Sequence, residues 1–232
     1  MVITLSRQAE AGGEELAELL CERAGLVLAD RAALERIARR EGLPLAELAI
    51  FDEAAGGALR AVVAEWRAPV RRDAYLRNLV QALLLLEREG DTLIMGRGAA
   101  FALADPGTLH LRVVAPMPCR VARLVQREGL HRAQARRLLE ASDEARARFV
   151  RETFSADIAD PCHYDMTLST AELPLEAIAE AVLAAAAIKS SRRWTSPREP
   201  RDLVAHVMRF QRQPGLPRVS EEVWRLCDHQ VR

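Results

Sequence analysis

The residues best placed to do chemistry are a glycine pair and a set of arginines. Gly12 and Gly13 follow the short apolar run VITL at 2–5 and precede Leu16, Leu19, Leu20 and Arg23 at helical spacing. A strand, a glycine turn and a helix start together make an anion site. Backbone N–H groups point at the ligand, and the helix dipole adds about half a positive charge. The fuller pattern GxxxxGK[ST] adds a lysine for the outer phosphates and a hydroxyl for magnesium. Registered on Gly13, the match is partial: Gln8 stands at the first glycine, Glu14 at the lysine and Glu15 at the hydroxyl. The stretch SRQAEAGGEELAELL at 6–20 reads equally as a plain helix start, since acidic residues in a first turn stabilise the dipole by about 0.3–1 kcal/mol each. The candidate loop residues are Ser6, Arg7, Gln8, Gly12 and Gly13, with Arg7 the nearest cation.

Arg97 stands between Gly96 and Gly98, directly after the apolar run DTLIMG at 91–96. In open α/β sheets, ligands bind at the carboxyl edge of the strands. The flanking glycines favour close backbone approach, although a solvated turn arginine would look the same. Asp30 and Arg31 end the preceding strand pattern; Asp30 fits either an acceptor site or a helix N-cap. Asp143, Arg146, Arg148 and Arg151 lie in a charged helical stretch. Arg148 and Arg151 share a face and Arg146 is offset from it; a solvated helix surface is the alternative. Arg132, Arg136 and Arg137 read as solvated. Tyr164 and Asp165, at the start of the run YDMTL, read as structural. The five histidines show no ligand spacing, so no resident metal site is expected.

The elements that must position these residues are short. VITL, LVLA at 26–29, DTLIMG, LHLRVVA at 109–115 and YDMTL at 164–168 are continuous apolar runs separated by helical patterns. That alternation predicts an α/β fold: a five-stranded parallel sheet with helices on both faces. A helix over 31–41 ends at Gly42, and another spans 174–188. Residues 43–89 form a helical insertion and 129–160 carry Arg-rich helices. SSRRWTSPREPR begins a linker, 189–201, and two amphipathic helices follow in 202–232. Their apolar face, with Leu203, Val207, Phe210, Val223, Trp224 and Leu226, predicts packing on the main domain, self-association or a protein partner.

Composition narrows the class further. The chain has 232 residues, with 33 basic and 33 acidic, so no global field recruits nucleic acid or an anionic membrane. Only 4% are aromatic, which predicts a core of Ala, Leu and Val. Lys189 is the single lysine, so a loop near the N-terminus must use arginine. Cys21, Cys119, Cys162 and Cys227 lack metal spacing and predict reduced, mostly buried thiols. The N-terminus has no signal-peptide pattern, and no apolar run reaches about 18 residues. A cytoplasmic, bacterial protein is expected.

The order of pieces resembles the cytidylate-kinase-like family of P-loop nucleoside monophosphate kinases. The likeness is carried by SRQ…AGGEELAELLCERAGLVLADRAALERIA at 6–38, IMGRGAAFAL at 94–103, LRVVAPMPCRVARLVQREG at 111–129 and DEARARFVRETFSADIADPCHYDMTLSTAELPLEAI at 143–178. It covers residues 1–188. The resemblance implies a five-stranded parallel sheet, an acceptor-site insertion over 43–89 and a lid over 129–160. It implies transfer of the terminal phosphoryl of ATP, with magnesium, to CMP, dCMP or a related monophosphate. It also assigns roles: Arg97, with Asp30 and Arg31, to the acceptor, and Arg146 and Arg151 of the lid to the phosphates; Arg7, close in sequence to the loop, is the candidate replacement for the missing loop charge.

The chain departs from the family pattern at two places. Glu10 stands where the pattern has Gly, and Glu14 where it has a basic residue. A carboxylate about 4 Å from a phosphate charge opposes it by about 1–4 kcal/mol. Two readings follow: a kinase of weak activity whose cations are arginines, or a non-catalytic P-loop relative acting as nucleotide sensor or interaction module. In either, the loop has lost its dedicated cation.

Overall fold

The computed structural model describes residues 1–29, 80, 82–87, 90–103 and 107–191. Asp30, Arg31, the helix over 31–41, most of the 43–89 insertion and the extension 202–232 lie outside the described residues.

The elements run β1 Val2–Arg7, α1 Gly13–Ala24, β2 Val27–Ala29, β3 Thr92–Met95, α2 Ala99–Ala102, β4 Leu109–Val114, α3 Met117–Glu128, α4 Arg132–Phe154, β5 Met166–Ser169 and α5 Leu175–Ser191. A 3-10 turn, Pro161–His163, precedes β5. The strands form one parallel sheet in the order β2-β3-β1-β4-β5. All five apolar runs are strands, and the α/β class stands. The runs differ by place. The central strands β1 and β4 are buried almost throughout, whereas the edge strands β2 and β5 are partly exposed.

Alternate residues of a strand face opposite sides, and here the two sides differ. On one, Ile3, Leu5, Leu93, Leu109, Leu111 and Val113 pack on Leu16, Leu20, Ile178 and Val182 of α1 and α5. This is the aliphatic core that composition predicts. On the other, Val2 and Ile94 meet helical residues 82–86, α2 and α4, with Phe101, Phe149 and Tyr164. This side too is built mainly of Ala, Leu and Val, as composition predicts, with aromatics added. The aromatics among the described residues gather here: Phe101 stacks on Phe154 at 5.6 Å and meets Tyr164 edge-on at 5.9 Å. Such pairs add about 0.5–1.5 kcal/mol beyond their buried area.

Two corrections concern the surface. The several helices expected over 129–160 are mainly one 23-residue helix, α4, because no Gly or Pro interrupts Arg132–Phe154. Among the described residues, the three thiols are free but not mostly buried. Cys21 and Cys119 are half-buried and Cys162 is exposed, the last because the 3-10 turn lies outside the packed layers. Among the described residues, no helix is long and apolar enough to cross a membrane.

Candidate phosphate and acceptor site

The loop between β1 and α1 is held by its carbonyls. Gln8 accepts from Ala11 N at 3.3 Å, and Gly12 from Leu16 N at 3.2 Å. Side chains take the other three. Arg120 Nη1 reaches Ala9 O at 3.4 Å, Arg123 Nη1 reaches Glu10 O at 3.0 Å, and Thr170 Oγ1 donates to Ala11 O at 2.6 Å. The Gln8 side chain is also engaged, its Oε1 accepting from Ala115 N at 3.2 Å. Two loop N–H groups are also used internally, Gln8 N by Val113 O at 3.0 Å and Ala11 N by Gln8 O. Gly12 is the N-cap of α1 at φ 76° and has no side chain to cap it. Among the described residues, none accepts from the N–H groups of Gly13, Glu14 or Glu15. These are the open donors of a helix start, and they suit an anion.

Arg7 ends β1 with only 8% of its side chain exposed, and its Nε donates to Glu14 Oε1 at 2.8 Å. Its stem lies across the helix start, so a Cβ at Gly13 would come within 2.8 Å of Arg7 Cδ and 2.9 Å of its Cβ. The helix position lacks a cation, as read from the sequence, but the loop has the Arg7 guanidinium beside it. It comes from the strand rather than the helix, and Glu14 holds it. Glu10 adopts φ 59°, the left-handed conformation that favours the glycine of the family pattern. It pairs with Arg127 Nη1 at 2.7 Å. Burial pushes its carboxyl up; Arg127 opposes the rise, and Glu14, Glu15 and Glu128 add to it.

The turn after β3 is wound left-handed at three successive residues: Gly96 at φ 71°, Arg97 at 55° and Gly98 at 70°. Gly96 N donates to Leu5 O at 2.9 Å, which sets the turn beside β1 at the level of Ser6. Gly98 is required by contact, since a Cβ there would meet Phe154 Cε2 at 2.3 Å. Arg97, with a Cβ, adopts the same conformation at a cost of about 1–2 kcal/mol. Strain of this kind collects at functional sites.

The residues expected on a lid disperse. Asp143 turns to α3, where it receives both ends of the Arg120 guanidinium at 2.8 and 3.1 Å. Arg120 is 3% exposed, so this pair welds α4 to α3 and, through Ala9 O, to the loop. Arg148 and Arg151 share a face, as their spacing predicts, and both meet Glu144, at 3.8 and 3.4 Å. Arg146 points elsewhere, to Ser142 Oγ at 2.6 Å. Arg146 and Arg151 are roughly 140° apart around the helix, so they do not form one cationic face. Arg132, Arg136 and Arg137 are exposed, as expected. Asp165 accepts from His110 N at 2.7 Å and pairs with Lys189, a structural role.

Three arginines escaped the sequence reading: Arg112, Arg120 and Arg123. Arg112 lies inside the apolar run LHLRVVA, and a charge within such a run was its available signal; Arg120 and Arg123 lie on α3, where the pattern marked neither. Arg123 and Thr170 clamp the loop, Nη2 reaching Thr170 O at 3.1 Å.

The family model for the cytidylate kinase-like family matches residues 2–172. A cytidylate kinase of Methanopyrus kandleri is 32% identical over 91 residues, covering 35% of this chain. The chain thus spans about half that relative, 47% of its length. In fold, an uncharacterized protein from Eubacterium ventriosum superposes with TM-score 0.59 at 16% identity, over 83% of this chain and 99% of that one. A sugar kinase from Janibacter gives TM-score 0.47 at 18% identity, over 82% and 95% of the two chains.

Proposed function

The chain belongs to the cytidylate kinase-like family, and from that premise we propose that it is a nucleoside monophosphate kinase of low activity. ATP is the donor, and CMP, dCMP or a related monophosphate the acceptor. The observation that carries this reading is the start of α1. Open N–H groups stand at the end of a central strand, with the buried Arg7 guanidinium across them. Phosphoryl transfer asks mainly for positioned positive charge, because charge spreads over the transferring oxygens. Arg7 and the helix start supply it on the donor side. Arg97, held in a strained turn beside β1, supplies it for the acceptor phosphate.

Magnesium fits as an ion brought by ATP. Among the described residues, no group of three or more His, Cys, Asp or Glu side chains is placed to hold a metal alone. Glu15, exposed in the first turn of α1, is a hard oxygen donor of the kind magnesium takes beside phosphate oxygens. The bound ion would neutralise phosphate charge, and the rest falls to the arginines.

The Arg7–Glu14 pair also supports a second reading. A cation that shares its charge with a carboxylate 2.8 Å away attracts phosphate less than a lone one. A nucleotide sensor that binds without turnover is the consequence if that pair never opens. Residues 202–232 would then serve as the partner-binding part.

Calorimetry with ATP–Mg and with CMP, separately, followed by a coupled assay for ADP formation, tests both readings. Binding of both ligands with slow turnover is expected. Binding of ATP–Mg alone, without ADP formation on addition of any monophosphate, would favour the sensor. Binding of neither would overturn both.

A further inference from the structure

Arg112 lies in the middle of the sheet on β4, only 7% exposed. Its neighbours among the described residues are neutral. Nη1 donates to Ser6 Oγ and to Tyr164 Oη, each at 3.3 Å, and the guanidinium carbon sits 5.4 Å from the Tyr164 ring centre. Among the described residues, no carboxylate pairs with it, and none accepts from its Nε or Nη2. The other nearly buried arginines, Arg7 and Arg120, each hold a carboxylate. A buried cation is costly unless it is paired. Among the described residues, Arg112 has only two long bonds to hydroxyls to set against that cost.

Its place suggests what it awaits. Ser6 is opposite Arg112 in the β1–β4 register, and Arg7 is opposite Val113. Successive residues face opposite sides, so Arg7 serves the side of α1 and Arg112 the side of the aromatic cluster. The Gly96–Gly98 turn belongs to that second side. Gly98 abuts Phe154, Phe154 stacks on Phe101, and Phe101 meets Tyr164, whose hydroxyl faces Arg112. Arg97 and Arg112 thus border one region at the carboxyl edge, on opposite flanks of β1.

We propose that Arg112 is a second anion contact of the acceptor site, taking a phosphate oxygen of the acceptor phosphomonoester together with Arg97. The proposal rests on the kinase reading for the identity of the acceptor, but not for the existence of the anion contact. The phosphate would replace Ser6 and Tyr164 as partner of the fork, and two arginines match the double charge of a phosphomonoester.

The test titrates wild type, Arg112→Gln and Arg112→Lys with CMP, inorganic phosphate and ATP–Mg, by calorimetry and by thermal shift. Arg112→Gln should weaken CMP at least tenfold while ATP–Mg affinity stays within about twofold. Arg112→Lys keeps the charge without the fork and should fall between; it serves alone if the Gln variant does not fold. Should wild type bind phosphate but not CMP, with Arg112→Lys or Arg112→Gln weakening the phosphate response, the anion contact stands and the monophosphate acceptor does not. Unchanged CMP and phosphate responses in a folded Arg112 variant overturn the proposal, whatever ATP does. An equal loss for all three ligands overturns it too, because it marks a structural role.

Discussion

Arg7 Nε donates to Glu14 Oε1 at 2.8 Å, across the first turn of the helix whose open N–H groups form the proposed phosphate site. The two residues are seven apart and come from different elements. The carboxylate that opposes an incoming phosphate is therefore the one that positions the loop's cation. Glu14 is half exposed while Arg7 is buried. Removing the carboxylate's charge takes away one competitor for the Arg7 guanidinium and the repulsion of an incoming phosphate, without dislodging the Arg7 stem. Glu14→Gln is expected to raise ATP–Mg affinity about tenfold, the equivalent of about 1.4 kcal/mol and within the range for one charge at this distance. Glu14→Arg should do at least as much and raise turnover. Calorimetry and ADP formation check both variants. Unchanged affinity in both would mean that Glu14 does not face the bound phosphates.

Gly13 makes a sharper prediction, because helix propensity and packing disagree there. Alanine is better than glycine in a helix by about 1 kcal/mol. The new Cβ would nevertheless lie 2.8 Å from Arg7 Cδ and 2.9 Å from Arg7 Cβ. The second of these atoms is close to the backbone and cannot swing away. Overpacking costs typically about 1–3 kcal/mol, so Gly13→Ala should lower the melting temperature and weaken ATP–Mg. A more stable protein would show that Arg7 relaxes elsewhere at no cost.

The strands and the glycines were legible in the sequence, whereas the partners of the charges were not. Continuous apolar runs announce buried parallel strands, and all five formed. Gly12, Gly96 and Gly98 announced left-handed turns. What pattern reading cannot supply is contact across distance. Arg7 meeting Glu14 across the loop, Arg120 meeting Asp143 from another helix, and Arg112 facing Ser6 and Tyr164 all depend on how elements stack. Asp143 shows the consequence. Its place in a charged helix suggested a lid residue, and its packing makes it the counter-ion of Arg120.

Asp143 should accordingly behave as a structural residue. Removing one partner of a buried pair strands the other charge and costs about 3–5 kcal/mol. Asp143 is 28% exposed beside the 3% of Arg120, which places Asp143→Ala at the lower end. Because Arg120 also reaches Ala9 O, ATP–Mg affinity should fall with stability, and urea unfolding beside calorimetry would register both. Intact stability with lost turnover would return Asp143 to the lid.

Arg97→Ala gives the complementary case. Alanine has the same Cβ and bears the same left-handed strain, so the substitution removes the guanidinium without changing the turn. CMP affinity should drop at least tenfold with a small change in melting temperature. A large stability loss at unchanged CMP affinity would make Arg97 a structural residue of the turn.

Glu10 carries the prediction that depends on pH. It holds a left-handed backbone at φ 59°, and burial, only partly offset by Arg127, pushes its carboxyl above the usual 4.5. A carboxyl raised in the folded state favours folding when protonated. Its contribution is complete below the unfolded value of about 4.5 and disappears as pH rises through the folded value. At neutral pH the ionised side chain is therefore a liability, added to a backbone cost of about 1–2 kcal/mol for a residue with a Cβ. Glu10→Gly removes both and loses the Arg127 pair, which is worth little because Arg127 is 52% exposed. The variant should unfold at higher urea than wild type at pH 7, and the gap should narrow as pH falls towards 4.5. Glu10→Gln separates the two causes, since it keeps the backbone strain and loses only the charge. Denaturation series at pH 4 and pH 7 decide it: if wild type is the more stable protein at pH 7, the Arg127 pair outweighs burial and strain together.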